Sequence, residues 1–194
     1  MIAPKDRKRL VEILAQMTPQ ERFAFLSSES YKVCRENNWG NPFVPGRTQE
    51  IIMANNLGHD ISMTVSGADA HDHDGAAEYK SCSPDPGSIN KNSFNALYGG
   101  VSVFPTWEEQ VKYLDDKILA YKNHYYARFR DGECLEIWVL DCQTVYDLLL
   151  PKLKKRYDAL KANDRIKDPR MQAVLGKKQI YRHGKKVYDS ENNA

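Results

Sequence analysis

Two Asp-Gly dipeptides place the strongest constraint on the fold of this chain of 194 residues. Asp-Gly between strand-like segments is the strongest short-range signal for a β-hairpin. Asp74-Gly75 lies between segments 69–73 and 76–82, and Asp131-Gly132 leads into the apolar run Cys134–Leu140. The chain is therefore expected to build a sheet that contains two hairpins.

Apolar residues recur at helical spacing in the segments around these strands. Thr18 and Glu21 form a capping box that opens a helix at Pro19. Thr48 is expected to cap a short helix that Gly58 ends, and Pro151 should kink or divide the last helix. Besides the helix that starts at Pro19, the predicted helices cover 4–16, 49–57, 107–122 and 144–160.

Alternation of apolar and polar residues predicts the strands. They cover 60–66, 69–73, 76–82 and 134–140, and residues 181–188 have the pattern of a small terminal hairpin. Strands that alternate with helices in this order predict an α/β protein with a mixed sheet flanked by helices.

The charge of the chain is unevenly distributed. Residues 151–188 contain 13 Lys and Arg but three acids, although the net charge of the whole chain is only +2. A basic segment behind an acidic body is typical of a polyanion-binding protein with a carboxylate site. No apolar run approaches the ~18–20 residues of a membrane span. The first residues lack the apolar stretch of a signal peptide, so we expect a cytoplasmic protein without membrane contact.

The hairpin around Asp74-Gly75 carries the residues that suggest chemistry. Glu78 and Lys80 are two apart on a strand and therefore share a face. A two-residue turn at Asp74-Gly75 pairs residues whose numbers sum to 149, which brings Asp69 to the same face. Two adjacent carboxylates repel each other unless a cation lies between them, and their oxygen atoms suit Mg²⁺. A neighbouring lysine can orient a water, which completes the equipment for hydrolysing a phosphodiester.

This stretch resembles the PD-(D/E)xK nuclease superfamily and, within it, the type II restriction endonucleases. The superfamily core is a helix, three antiparallel strands, a helix and a further strand, and residues 48–140 follow that order. The resemblance implies a restriction-endonuclease-like core and a deoxyribonuclease that needs Mg²⁺, with Mn²⁺ as substitute. Its substrate would be double-stranded DNA with a short specific sequence. A palindromic site would be matched by a homodimer.

The resemblance also assigns roles to individual residues. Asp69, Glu78 and Lys80 would be catalytic, and the first two would bind the metal together with the Tyr79 backbone carbonyl. Glu50 occupies the place of a supporting glutamate on the first core helix. The superfamily proline before the aspartate is missing here, which leaves Asp69, Asp72 and Asp74 as candidates. The two-residue turn favours Asp69, whereas a three-residue turn would bring Asp72 to the metal face.

Two segments have side chains suited to reading or tracking DNA. The segment after the metal strand contains polar groups that fit base edges and phosphates: Asn90, Lys91, Asn92, Ser93, Asn95 and Tyr98. The basic segment offers phosphate contacts at Lys152, Lys154, Lys155 and Arg156.

We thus expect a single nuclease domain over residues 1–194. Its parts would be a helical region 1–47, a catalytic core 48–140, and a basic helix and hairpin 141–194. Two alternatives remain open at this point. One is a structure-specific or repair nuclease of the same superfamily, which needs no sequence-reading loop. The other is a non-catalytic nucleic-acid-binding module with a purely structural acidic hairpin.

Overall fold

A computed structural model of the chain describes residues 3–63, 67–83, 94–101, 103–162 and 167–192. The helices are α1 (Pro4–Ala15), α2 (Pro19–Glu36), α3 (Arg47–Leu57), α4 (Trp107–Ile118), α5 (Cys142–Ala162) and α6 (Lys177–His183). The strands are β1 (Asp60–Ile61), β2 (Ala70–Asp72), β3 (Gly75–Cys82), β4 (Asn95–Val101), β5 (Asn123–Arg130), β6 (Glu133–Asp141), β7 (Met171–Gly176) and β8 (Lys185–Asp189).

The larger sheet has the strand order β1-β2-β3-β5-β6-β8. Every neighbouring pair is antiparallel except β3 and β5, which are parallel. Parallel neighbours need a crossover connection, and the chain between them supplies it with β4 and α4. Strand β4 pairs with β7 in a separate antiparallel sheet. The chain is therefore an α/β protein with a mixed sheet flanked by helices, as its sequence predicts.

Each face of the large sheet has its own core. On one face α4, α5 and the β4–β7 sheet pack around buried residues such as Leu114, Tyr126 and Leu153. On the other face α3 places Met53 and Ala54 against the small residues of β2 and β3. None of the described helices is long and apolar enough to cross a membrane.

The two predicted hairpins both form, and the second forms at the predicted place. Asp131 and Gly132 have φ of 51° and 83°, and Arg130 pairs with Glu133. Positive φ at both central residues is the signature of a type I′ turn.

The first hairpin turns one residue earlier than predicted. Asp72 pairs with Gly75, so His73 and Asp74 form the turn and paired numbers sum to 147. The carboxylate of Asp72 explains the shift, because its Oδ1 accepts the N–H of Asp74 at 2.7 Å and closes the turn. The predicted sum of 149 and the observed sum of 147 are both odd, so the side chains of the hairpin keep the faces that the sequence predicts.

Several predicted boundaries are wrong. Helix α3 starts at Arg47 after Gly46, and Thr48 does not cap it but donates its hydroxyl to the Pro42 carbonyl at 2.6 Å. Helix α5 runs through Pro151 without division. Strand 60–66 is described only as β1, since residues 64–66 lie outside the described part.

The end of the chain also differs from prediction. Residues predicted as a terminal hairpin form helix α6 and strand β8 instead, and β8 pairs with β6 rather than with its own neighbour. The strand beside β3 is β5, for which the sequence analysis gives no bounds, and the predicted segment 134–140 forms the next strand, β6. Local patterns do not encode these long-range pairings.

Candidate active site

Asp69, Glu78 and Lys80 line one cleft of about 310 Å³. The large sheet forms one wall of this cleft, and β4 and α4 form the opposite wall. Strand β4 contributes Tyr98 to that wall, and the region of α4 contributes aromatic and basic groups such as Lys117. The three residues come from a single hairpin, where the preserved parity sets them on one face. The cleft is thus lined by two carboxylates, two ammonium groups and several tyrosines.

The backbone of β3 fixes the position of Asp69. The Asp69 N–H donates to the Ala77 carbonyl at 3.1 Å, which fastens the residue before β2 to β3. One carboxylate oxygen of Asp69 accepts the Tyr79 N–H at 2.7 Å. The N–H and C=O of a strand residue point the same way, so the Tyr79 carbonyl also points toward Asp69. The carboxylates of Asp69 and Glu78 thus line the same cleft, and the Tyr79 backbone borders Asp69.

This arrangement perturbs Asp69 strongly. Burial and the neighbouring Glu78 charge raise the pKa of Asp69 to about 7, although the Tyr79 N–H and Lys80 oppose the rise. Lys80 hydrogen-bonds Glu78, and its Nζ lies 5.3 Å from the centre of the Tyr98 ring. Lys80 thus pairs with Glu78, while the pKa of Asp69 stays raised. A donor set of this kind fits a hard divalent cation such as Mg²⁺.

A buried hydrogen-bond chain forms the floor of the cleft. Burial lowers the pKa of His124 to about 4, so its ring is neutral. Its Nε2 lies 2.9 Å from the Ile118 carbonyl and must donate to it, which makes Nδ1 an acceptor for the Tyr98 hydroxyl at 3.0 Å. The Tyr126 hydroxyl, 2.5 Å away, then donates to Tyr98. The hydroxyl protons of Tyr126 and Tyr98 therefore each point to a defined acceptor along this series of hydrogen bonds.

Glu50 lies near the cleft and forms an ion pair with Arg47. Its Oε2 is 3.0 Å from Arg47 Nη1, and its charge contributes to the raised pKa of Asp69. Arg47 is 1% exposed and also donates to the carbonyls of Trp39, at 2.6 Å, and of Ser62. Ser62 in turn donates its N–H to the Asp69 carbonyl at 3.1 Å. Arg47 thus ties α3 to the segment that positions Asp69, and sequence analysis missed it because an isolated arginine forms no pattern.

A second acidic group lies at the hairpin turn. Asp72, His73 and Asp74 each offer a ligand atom within 4.8 Å of the others, so this group could hold a metal ion. Hydrogen bonds from Asn123 and Tyr125, at 2.8 Å each, already occupy Asp72. Asp72 lies on the opposite face of the hairpin from Glu78.

The predicted DNA-contacting residues of the loop are only partly described. Asn90, Lys91, Asn92 and Ser93 lie outside the described residues. Asn95 is exposed on β4, whereas Tyr98 is 6% exposed and its hydroxyl is engaged by His124 and Tyr126. Tyr98 therefore lines the cleft with its ring, and its hydroxyl is already engaged within the protein.

Three of the four residues of the basic segment that were predicted to contact DNA are engaged by other groups of the same chain. Lys152 donates to the Val174 carbonyl at 2.6 Å and to Gln179, and Arg156 donates to the backbone carbonyls of Asp168 and Arg170. Lys154 pairs with Asp158 at 2.5 Å. Lys155 is exposed. Lys152 and Arg156 thus fasten α5 to the following chain, and Lys155 is the one of these four residues that is fully on the surface.

No protein-family model matches the chain, and no curated protein matches its sequence. The geometry and electrostatics of the cleft are therefore the basis for a functional proposal.

Proposed function

We propose that the chain is a divalent-metal-dependent endonuclease that hydrolyses phosphodiester bonds of double-stranded DNA. The observation that carries the proposal is the convergence of Asp69, Glu78 and Lys80 in one cleft. Two half-buried carboxylates, of which Asp69 has a strongly raised pKa although Lys80 and Lys117 line the same cleft, are costly for the folded chain unless a cation binds there. Such a cost is typical of sites selected for chemistry.

The order of elements supports a restriction-endonuclease-like core. Helix α3 is followed by the antiparallel strands β1, β2 and β3, then by β4 of the second sheet, by α4 and by β5. Asp69 immediately precedes the second of these strands, and Glu78 and Lys80 lie on the third. These are the positions that the resemblance to the PD-(D/E)xK superfamily assigns to its motif residues.

Each residue of the cleft has a role in this proposal. Asp69, Glu78 and the Tyr79 carbonyl would hold Mg²⁺ or Mn²⁺, and Glu50 would support them through its charge. The bound ion would supply Lewis acidity toward the phosphate. Lys80, held by Glu78 and the Tyr98 ring, would orient the attacking water.

DNA contacts form a further part of the proposal. Asn95 and Lys155 are exposed and can reach a ligand outside the cleft. The loop residues Asn90, Lys91, Asn92 and Ser93 carry the chemistry to read bases, which would make the enzyme sequence-specific in the manner of a type II restriction endonuclease.

Incubation of the purified protein with plasmid DNA tests the proposal, with Mg²⁺ and with EDTA. We expect cutting only with Mg²⁺ or Mn²⁺. The variants Asp69→Asn, Glu78→Gln and Lys80→Ala should each reduce single-turnover cleavage at least ~10²-fold, as the loss of one strong transition-state contact does. Asp116→Asn is the matched control, because this carboxylate is exposed on α4 and does not line the cleft.

The pattern of products separates the alternatives. Discrete fragments support a sequence-specific enzyme, whereas cutting confined to branched or damaged DNA supports a structure-specific or repair nuclease. Binding of DNA without any cutting, in every metal tested, would refute the proposed catalysis and leave a nucleic-acid-binding module.

A further inference from the structure

One positive charge in the cleft has no role in the proposed chemistry. Lys117 lies in the last turn of α4 and lines the wall that faces the hairpin of Glu78 and Lys80. Its side chain is exposed, and it forms no hydrogen bond or ion pair with any residue that the structure describes. Its Nζ lies 5.9 Å from the centre of the Tyr113 ring, one turn earlier on the helix. Lys117 therefore brings to the cleft an ammonium group that no described acid neutralises.

The other charges in and near the cleft are already paired or needed for the bound ion. Lys80 hydrogen-bonds the Glu78 carboxylate on its own strand. Glu50 and Arg47 form an ion pair at 3.0 Å, so their charges offset each other. Among the described residues that line the cleft, Lys117 is thus the cation that remains available for a ligand.

The charges of the cleft balance only when it holds two phosphates. Asp69 and Glu78 contribute two negative charges when both are ionised, and Lys80 and Lys117 contribute two positive charges. A bound divalent cation then leaves a net charge of two positive units. A phosphodiester group carries one negative charge, so the phosphate that is cut would leave one positive unit unmatched. A second phosphate of the same strand completes the balance.

The wall that carries Lys117 is electrostatically coupled to the carboxylates. Tyr121 follows α4 and lines the cleft beside Lys117. Burial and the charges of Glu78 and Asp69 raise the pKa of Tyr121, so this wall lies within the field of both carboxylates. A DNA strand that brings a phosphate to the carboxylates therefore passes along the wall that contains Lys117.

We propose that Lys117 binds the phosphate adjacent to the one that is cut, on the same DNA strand. The inference rests on the proposed nuclease function and adds to it a substrate-binding residue. A lysine ammonium is a compact point charge that suits a single phosphate oxygen. A second phosphate held at α4 fixes the strand relative to the bound ion, and such positioning accelerates a reaction without any further chemical group.

DNA binding by the full chain tests the contact without requiring cleavage. Ca²⁺ at a fixed low concentration replaces Mg²⁺, because it takes the same oxygen ligands in looser geometry. Lys117→Gln should lower the slope of log K against log salt by about 0.9 for a DNA duplex, the value for one lost phosphate contact. Lys112→Gln is the matched control, since Lys112 is exposed on the same helix but does not line the cleft, and its slope should equal that of the wild type.

Single-turnover cleavage in Mg²⁺ then identifies the phosphate. A neutral methylphosphonate at one of the two phosphates that flank the cut should slow the wild type at least ~10-fold, as the loss of a hydrogen bond to a charged group does. Lys117→Gln should be slower by a similar factor on unmodified DNA and should lose no further rate on that modified strand, because both changes remove the same contact.

Equal slopes for Lys117→Gln and the wild type, or equal losses for Lys117→Gln and Lys112→Gln, would overturn the inference. Independent, multiplying losses at both flanking phosphates would also overturn it. A wild-type chain that binds DNA but never cuts it would refute the nuclease function instead, and the difference in slope between Lys117→Gln and Lys112→Gln would then still decide whether Lys117 contacts a phosphate.

Discussion

Replacing Asp69 by Asn should stabilise the metal-free protein at pH 8 while it reduces cleavage at least ~10²-fold. The pKa of Asp69 rises from its ordinary 3.8 to about 7 because of burial and the Glu78 charge. Below pH 4 the carboxyl is neutral in both the folded and the unfolded state. Between pH 4 and 7 the unfolded chain ionises first, so the stability of the folded state falls as pH rises and levels off above about 7.

The size of this penalty follows from the pKa difference. At about 1.4 kcal/mol for each pH unit, a rise from 3.8 to about 7 corresponds to about 4 kcal/mol. Water entering the cleft and side-chain relaxation reduce it, so we expect about 2–4 kcal/mol, or about 5–15 °C in Tm for a chain of this length. The Asn amide oxygen keeps the Tyr79 N–H bond, so the substitution removes only the charge.

Asp72→Asn is the matched control and should change Tm at pH 8 in the opposite direction. Burial acts to raise the pKa of Asp72, but hydrogen bonds from Asn123, Tyr125 and the Asp74 N–H outweigh it and lower the pKa. This group therefore stabilises the fold above pH 4, and its neutral substitute should lower Tm at pH 8.

The assay is thermal unfolding of the three proteins from pH 5 to pH 8 in EDTA, repeated with Mg²⁺. Mg²⁺ at ten times its dissociation constant should stabilise the wild type by about 1.4 kcal/mol and leave Asp69→Asn unchanged. Parallel pH profiles of the wild type and Asp69→Asn, or a lower Tm for Asp69→Asn at pH 8, would refute the reasoning about the cleft.

Three further variants test the surroundings of the cleft. Tyr98→Phe leaves His124 Nδ1 without its donor and should cost about 1–3 kcal/mol in urea unfolding; an unchanged midpoint would contradict the hydrogen-bond chain. Arg47→Met removes the partner of Glu50 and should cost about 3–5 kcal/mol by the same measurement, whereas a small loss would mean that α3 is fixed otherwise. Lys155→Ala should lower the slope of log K against log salt for DNA binding by up to about 0.9, and an unchanged slope would place this lysine away from DNA.

The sequence predicts which cleft residues share a face of the sheet, because that depends only on whether the numbers of paired residues sum to an odd or an even number. The Asp-Gly signal placed the turn one residue too late, yet Asp69 stays on the face of Glu78 since the sum changed by two. The error arose because the Asp72 side chain competes for the turn, and its bonds to Asn123 and Tyr125 depend on a strand some 50 residues away. No local rule contains that contact.

Long-range burial explains the other failures. Lys152 was predicted to meet DNA because a basic run resembles a solvated or phosphate-binding face, but β7 and α6 fold over it. His124 and Arg47 form no pattern in the sequence, and only the folded chain reveals the hydrogen bonds that each of them makes. The terminal hairpin failed because β8 finds a better partner in β6.

The bond between the Tyr79 N–H and Asp69 also links the cleft to the folding of the chain. Asp69, Glu78 and Lys80 belong to one hairpin, which can form within microseconds but is only marginally stable by itself. The parallel pairing of β3 with β5, which requires the whole intervening crossover, holds that hairpin in place. The Tyr79 amide proton should therefore exchange with solvent only when the larger sheet opens, so its exchange rate reports on the integrity of the cleft without any substrate.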